Sequence, residues 1–450
     1  MNAHGYVDRL ENLLDPTDNL IFNMSVEEAI ERVGSGDAQQ VRQIEGQFAL
    51  LHKRGNIVRM ARSIGRPMRY FLAKKVDGPC LIVAERIDEI ASWLKSQGLD
   101  DQFHPSYTRM VPAHHIVEIA LVGCPDPNPQ LTRYFDPARN RWSTDLNEIG
   151  KRYIGSLADE CTKWLDRIDA TDRTAPLGVL FSGGIDSGAV FLVLYHLLLK
   201  RGSNPARLKA FTLSVTTDGQ SLSPDAQQAA RFLDDVDLGL FLEVIEARPS
   251  ELDVRETIRI IEDYKPLDVQ SATMAIALCR GIRARYPDWK FLADGDGGDE
   301  NLKDYPIEEN SELTIRSVLN NQMLYHEGWG VQAIKHSLTY SGGQSRGHVR
   351  TSAPAKQFEF AGFSPFALPN VIEVAEGIPF IELTNWDNSK LYALKGEVVR
   401  RGVEAITGIT MPIFEKRRFQ HGAAERALFD KVFPKHEAAY RRLLTEVFAS

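Results

Sequence analysis

The sequence predicts an α/β chain: a parallel sheet with crossover helices and a helical C-terminal half, preceded by a small β-rich domain. Three observations predict it. From about Leu146 onward, apolar strand segments alternate with long amphipathic helices. Two of those strands run into glycine-rich turns, one at 182–187 and one at 294–299. Between Glu45 and Ile119 the pattern is instead short β segments divided by Gly and Arg/Lys turns. The chain has 450 residues, enough for two or three domains, and the change of pattern divides it into 1–145 and 146–450.

Residues 1–40 are polar, with one expected helix near Val26–Val33. FALLHK, NIVRMAR, RYFLAK, CLIVAER and HHIVEIAL follow as strands of an antiparallel domain, with turns at Arg54-Gly55-Asn56 and from Lys75 to Gly78. Cys124 to Asn140, rich in Pro, Asp and Asn, reads as a linker. LGVLF, LKAFTLSV, GLFLEVI and KFLADGD are the parallel strands, with helices between them. After Glu308 the pattern is mainly helical. Ser341-Gly342-Gly343 has no strand before it and reads as a loop.

Composition is that of a globular protein, 43% hydrophobic and 25% charged. A net charge of −8 gives no broad basic face, which argues against nucleic acid as the main partner. Basic residues do cluster at Lys416-Arg417-Arg418 and Arg441-Arg442, leaving room for a local anion site. Cys80, Cys124, Cys161 and Cys279 are far apart, without metal-ligand spacing; buried free thiols in a reducing compartment are expected. The start is polar and acidic, unlike a signal peptide, and the longest apolar run, Ala189 to Leu199, is too short to span a bilayer. A cytoplasmic protein with no membrane partner is expected.

Chemistry concentrates at two turns. Leu177 to Phe181 looks like a buried strand that breaks into Ser182-Gly183-Gly184-Ile185-Asp186-Ser187, and an apolar helix follows. Two glycines permit a tight turn and close approach of backbone N–H groups to a ligand. The helix N-terminus adds unpaired donors and the positive end of a dipole. Such a site suits an anion with several oxygens, and the Asp186 carboxylate, which would repel a bare phosphate, suggests a bridging metal. The spacing is neither that of a Walker A loop nor GxGxxG. A glycine-rich turn that binds nothing is the competing reading; strand, motif and helix in the required order weigh against it. In the second turn, FLADGDGGDEN at 291–301, glycines interleave with Asp294, Asp296, Asp299 and Glu300. A solvated acidic loop is the competing reading. At the end of a parallel strand, however, such a carboxylate cluster needs a cation or an amine to offset its repulsion.

SGGxDS after a strand resembles the pyrophosphate loop of the N-type ATP pyrophosphatases, the PP-loop enzymes of adenine nucleotide alpha hydrolase-like fold. SGGIDS followed by GDGGDE resembles the synthetase domain of the asparagine synthetase family, which includes β-lactam and carbapenam synthetases and lasso-peptide cyclases. Further matches keep the family order: Ser223-Pro224-Asp225 with Ala226, Ala229 and Ala230; Pro266, Asp268 and Ser271 in YKPLDVQS; Ser364-Pro365-Phe366; Lys395 in LYALKGEVVRR; and Lys416, Phe419 and Gly422. The resemblance covers roughly 146–430. It implies ATP and Mg²⁺ as cofactors, cleavage of ATP to AMP and pyrophosphate, adenylation of a small-molecule or peptide carboxylate, and capture by an amine or ammonia. It assigns the pyrophosphate to Ser182, Gly183, Gly184, Asp186 and Ser187. The metal falls to Asp186 and Asp299, and the adenosine to the backbone near Phe181, Leu213 and Gly295. Lys416 and Lys395 would balance the charge developing on the leaving group, although for either lysine a surface ion pair is the competing reading. Asp268 and Ser271 fall at the acceptor pocket. Asp296 stands where asparagine synthetases carry an acid and β-lactam synthetases a tyrosine, which argues against the ring closure of the latter. Phe363 replaces an arginine of the asparagine synthetases, which weakens the case for aspartate as acceptor.

The first domain resembles the later half of a class II glutamine amidotransferase domain, of the N-terminal nucleophile type. The match rests on Glu45-Gly46-Gln47-Phe48-Ala49, Arg62-Ser63-Ile64-Gly65 with Tyr70, Val83-Ala84-Glu85 and Val111-Pro112-Ala113-His114-His115. That domain needs an N-terminal cysteine. Here residue 2 is Asn, and residues 1–44 are too few for the nucleophile strand and glutamine loops. A truncated, inactive domain is expected, serving as scaffold, dimer interface or lid. The nitrogen then comes from free ammonia, an amino compound, or a separate glutaminase or carrier partner. Two other readings stay open: an intramolecular lactam or macrolactam cyclase, and a non-catalytic ATP-binding regulatory module. Intact Asp186, Asp299 and Lys416 speak against the second.

Overall fold

A computed structural model describes residues 9–75, 78–121, 129–216, 222–302, 348–385, 387–414 and 426–448. The chain forms two compact units, one of residues 1–136, 322–348 and 444–450, the other of 137–321 and 349–443.

The first unit holds strands β1 (Arg9–Asn12), β2 (Leu20–Ile21), β3 (Gly46–Gln47), β4 (Ala49–Arg54), β5 (Ile57–Arg62), β6 (Arg69–Lys75), β7 (Gly78–Ala84), β8 (Arg109–Met110), β9 (His115–Ala120) and β10 (Gln130–Arg133). Its helices include α1 (Val26–Ser35), α2 (Ala38–Arg42) and α3 (Ile87–Ser96). Two four-stranded sheets form, β1-β7-β6-β8 and β10-β9-β5-β4, with a small β2-β3 pair. Side chains alternate across the strands, so Val58, Met60, Val117 and Ile119 of one sheet pack with Tyr70, Leu81 and Val83 of the other. The opposite face of β6 and β7 (Phe71, Ala73, Cys80 and Ile82) is covered by Ile90 and Leu94 of α3. Burial on both faces explains the unbroken apolar run CLIVA. Helix α1 packs on β4 and β5, giving the order helix, sheet, sheet, helix. It starts where Ser25 Oγ accepts the Glu28 N–H at 3.1 Å, an N-cap.

Two expectations for this region need correction. The segments between Glu45 and Ile119 do pair antiparallel, but residues 1–40, expected to be polar with one helix, also supply β1, which runs parallel to β7 with Arg9 opposite Cys80. RLEN is too short and polar to read as a strand, and its place comes from sheet pairing alone. Nor is 124–140 all linker, because Gln130–Arg133 pairs antiparallel with β9. Residues 122–128 lie outside the described set.

In the second unit, α4 (Leu146–Asp169) precedes β11 (Leu177–Leu180), α5 (Ile185–Lys200), β12 (Leu208–Val215), α6 (Pro224–Asp234), β13 (Leu242–Ala247), α7 (Val254–Ile261), α8 (Pro266–Arg285), β14 (Phe291–Ala293) and the single turn α9 (Gly298–Asn301). From residue 348 onward come a π-helical turn at His348–Ser352, α10 (Ala353–Gln357), β15 (Ala361–Phe363), α11 (Pro369–Glu376), α12 (Phe380–Thr384), α13 (Leu391–Thr407), α14 (Arg426–Val432) and α15 (Glu437–Phe448), of which His348 and residues 444–448 are counted with the first unit. The sheet order is β13-β12-β11-β14-β15, every pair parallel. All four strand segments expected from sequence are in it. The fifth, β15, was not expected in a helical half; three residues give no periodicity to read. Burial holds it there: Phe363 stacks on Trp164, with centroids 4.7 Å apart, and its carbonyl accepts the Asp294 N–H at 3.0 Å.

The chain runs outward from β11 through β12 to β13, then returns to the other side of β11 for β14 and β15. The order reverses between β11 and β14, and the crevice above the carboxyl ends of two such strands is where open α/β sheets bind ligands. Both glycine-rich turns leave the sheet there. Among the described residues, no helix is long and apolar enough to cross a membrane.

Candidate active site

The first turn is fixed by close packing. Gly183 has φ +69°, and a Cβ there would lie 2.8 Å from the backbone of Ala229 in α6. The loop therefore lies directly against the first turns of the SPDAQQAA helix. Gln228 Nε2 of that helix donates to Gly183 O at 3.3 Å. Ser223 caps α6, accepting the Ala226 N–H at 3.3 Å, and donates through Oγ to Leu213 O at 3.2 Å, which ties the helix to β12. Within the loop, Ser187 Oγ accepts the Ser182 N–H and Ser182 Oγ accepts the Gly184 N–H, both at 3.2 Å. Phe181 donates its N–H to Phe211 O at 2.8 Å and buries its ring against Phe191 and Phe232. Phe181 directly follows β11, and Leu213 lies on the neighbouring β12.

The second turn packs onto the first. A Cβ at Gly295 would stand 2.6 Å from Ser187 N, and one at Gly298 would stand 2.2 Å from Asp186 Oδ1. No other residue type fits these two positions without moving Asp186. The GDGGDE glycines thus bring Asp299 to Asp186, and a third group joins them. Lys395 Nζ donates to Asp186 Oδ2 at 2.5 Å and also to Asp299 Oδ1. Lys395 is 2% exposed, so the surface ion pair considered for it is not what forms. Its helix, α13, lies against α4 where Gly150 and Gly402 meet: a Cβ at Gly402 would be 2.3 Å from Gly150 O. This small-residue contact brings the lysine within reach of strand ends more than 90 residues away in sequence.

A second carboxylate pair lies beside the first. Asp294, at the end of β14, is 3% exposed. Its Oδ2 accepts from Ser364 Oγ and from Thr351 Oγ1, each at 2.9 Å, and its Oδ1 accepts the Asp296 N–H at 3.0 Å. Thr351 Oγ1 also stands 2.8 Å from Asp296 Oδ2. Burial raises the Asp294 carboxyl above the ordinary range, and burial together with the Asp294 charge pushes Asp296 further, to about 8. Arg350, from the same π-helical turn as Thr351, opposes that rise and donates to Asp268 Oδ1 at 2.8 Å. Lys265 reaches Asp268 at 3.8 Å. Asp268 and Ser271, in the first turns of α8, are both buried. Asn301 closes the far side, donating to Phe366 O at 2.9 Å and to Tyr153 Oη at 3.2 Å.

The site residues expected from sequence thus fall into two groups. Asp186, Asp299, Lys395, Gly295 and the 182–187 loop meet in one; Asp296 and Asp268, joined through Arg350, form the other. Lys416, with Phe419 and Gly422, lies outside the described residues, as do the loop 341–343 and Cys124. Sequence reasoning missed Arg350 and Thr351, which sit in a stretch without periodicity, and Gln228 and Asn301, whose amides act only through tertiary contacts. A guanidinium is thus present beside Asp268, supplied by Arg350 of the π-helical turn.

In the first unit, the segments compared with the amidotransferase domain are neighbours. Phe48 donates its N–H to Ser63 Oγ and Ser63 its N–H to Phe48 O, both at 2.9 Å. The buried Arg62 guanidinium donates to the carbonyls of Val111, Ser63 and Arg66. Cys80 is buried in β7, and burial pushes its thiol up to about 11.

Fold and site define an open parallel α/β sheet with both glycine-rich turns at its switch point. Residues 169–357, from the end of α4 to α10, match the family model described as asparagine synthase. The match includes both glycine-rich turns and Arg350 with Thr351, and ends before Lys395. No curated protein matches the chain.

Proposed function

We propose that the second unit is an ATP-dependent ligase. It adenylates a carboxylate, releasing pyrophosphate, and passes the acyl group to an amine or ammonia. The observation that carries this reading is the meeting of SGGIDS and GDGGDE at the switch point, locked by Gly295 and Gly298 against Asp186 and Ser187.

Asp186 and Asp299 fit Mg²⁺. Both offer hard oxygens, both already converge on one positive charge at Lys395, and Mg²⁺ is commonly held by one or two carboxylates with substrate phosphates completing its shell. When bound, the ion would neutralise phosphate oxygens that otherwise repel the incoming carboxylate. The loop amides at 183–187 and the N-terminus of α5 receive the pyrophosphate. Lys395 supplies a buried positive charge where negative charge grows on the leaving group. In the second step the amine nitrogen bonds to the acyl carbon, the acyl–AMP oxygen bond breaks, and a proton leaves the nitrogen for the Asp296 carboxylate.

The first unit is proposed to have no glutaminase activity. Its one described cysteine, Cys80, is buried with a raised pKa, the reverse of an activated nucleophile. Glutamate release from glutamine by the pure chain would overturn this. For the second unit the test is Mg²⁺-dependent ATP–pyrophosphate exchange with a panel of carboxylic acids. Exchange with at least one acid is expected; tight ATP binding without exchange for any acid would favour a regulatory module.

A further inference from the structure

We infer that Asp294 is a positioning residue for Asp296: the two carboxyls hold one proton between them through the Thr351 hydroxyl, with the proton on Asp296 and the charge on Asp294. The inference rests on the reading of Asp296 as proton acceptor. It follows from counting hydrogens. Thr351 Oγ1 lies within hydrogen-bond distance of one oxygen from each carboxyl, 2.9 Å from Asp294 and 2.8 Å from Asp296. A hydroxyl has one proton to donate and lone pairs that accept. Shared between two anions, that proton would give two weakened bonds; both oxygens gain a full hydrogen bond when one of them carries a proton and donates it back.

The remaining contacts decide which. Asp294 is already placed as an anion, accepting from Ser364 Oγ on one oxygen and from the Asp296 N–H on the other. The chain of donors therefore runs from the Asp296 O–H to Thr351 Oγ1, and from Thr351 to Asp294 Oδ2. The order of the raised pKa values, Asp296 above Asp294, agrees. The charged groups facing the pair are Arg350 on the π-helical turn and Glu300 on α9, the first favouring the anion and the second opposing it. Arg350 is shared with Asp268 of α8, which is itself near Lys265. The Cys279 thiol of α8 feels the Asp294 charge. Only one member of the pair is aimed by three donors from separate elements, and that rigid anion sets the proton affinity of the other. A base tuned upward in this way suits deprotonation of an amine far better than an ordinary carboxylate does.

The test is an infrared titration of the full chain without ligands, following the carbonyl stretch of protonated carboxyl groups. The wild type should keep a protonated carboxyl above neutral pH, and Asp296→Asn should remove that step. Asp294→Asn should lower its midpoint by about one pH unit or more, since a like charge is lost. Thr351→Val should lower it as well, because the protonated pair makes two bonds through the hydroxyl and the doubly ionised pair only one. A wild type with no protonated carboxyl above about pH 6, or an unmoved midpoint in either folded variant, would overturn the inference. Should Asp294→Asn fail to fold, the downward shift in Thr351→Val decides alone. The titration reads the pair whether or not an acid is turned over. A silent exchange assay therefore overturns the ligase reading alone, and an unmoved midpoint overturns the pair alone.

Discussion

Two carboxylate pairs sit at the same strand ends, and they are neutralised differently. Asp186 and Asp299 share the ammonium of Lys395. Asp294 and Asp296 meet across the Thr351 hydroxyl, with no ammonium between them among the described residues. Like charges forced together must attract a cation or retain a proton. The difference between the pairs lies in the third group, and it separates their chemistry. A pair balanced by a cation can exchange that cation for a metal and handle phosphates. A pair that keeps a proton can take part in proton transfer.

The largest test removes the ammonium. Lys395→Met should lower pyrophosphate exchange by about 10²–10³-fold, the cost of one well-placed electrostatic group. The Asp294–Asp296 titration should stay where it is. If it moves as well, the two pairs are one coupled cluster and the comparison breaks.

Next in size is steric. In Gly298→Ala the new Cβ would stand 2.2 Å from Asp186 Oδ1, so that carboxylate must shift. Exchange should fall by up to about 10²-fold, because catalysis loses that much for displacements near 1 Å. Gly155→Ala, whose Cβ would meet nothing closer than 3.8 Å, is the control and should leave exchange unchanged.

The third concerns pH. Amide formation should rise with pH through about 8, where Asp296 becomes a carboxylate, while exchange varies less over the same window. Equal pH profiles for the two half-reactions would remove Asp296 from the second step.

The smallest effect is on stability. The carboxyls of the pair are raised in the folded chain, so between the ordinary value of 3.8 and about 8 the folded state binds more protons than the unfolded state. Stability from the pair is complete below that window and is lost as pH rises through it. The urea midpoint should therefore fall from about pH 6 to about pH 9, and less steeply in Asp294→Asn.

The Asp186–Asp299 pair was legible in the sequence because its geometry is local. SGGIDS and GDGGDE each join a strand end to a helix start within a few residues, and the glycines announce a close approach. The sequence also implied that the carboxylates needed a cation or an amine, and the amine is Lys395. What could not be read is what depends on contacts between distant elements. Arg350 and Thr351 come from one π-helical turn, a rare geometry that often occurs at functional sites and has no sequence period of its own. β15 is three residues long, and its strand character comes from pairing with β14. The proton held by Asp296 depends on a hydroxyl 55 positions away.

The central claim, adenylation at the switch point, is tested most directly by the phosphorus products. The full chain is incubated with ATP, Mg²⁺, a carboxylic acid that supports exchange, and hydroxylamine as the capturing amine, and followed by ³¹P NMR. The account predicts AMP and pyrophosphate in equal amounts, matched by hydroxamate and lost in Asp186→Asn. ADP and inorganic phosphate, or an undiminished yield from Asp186→Asn, would contradict it.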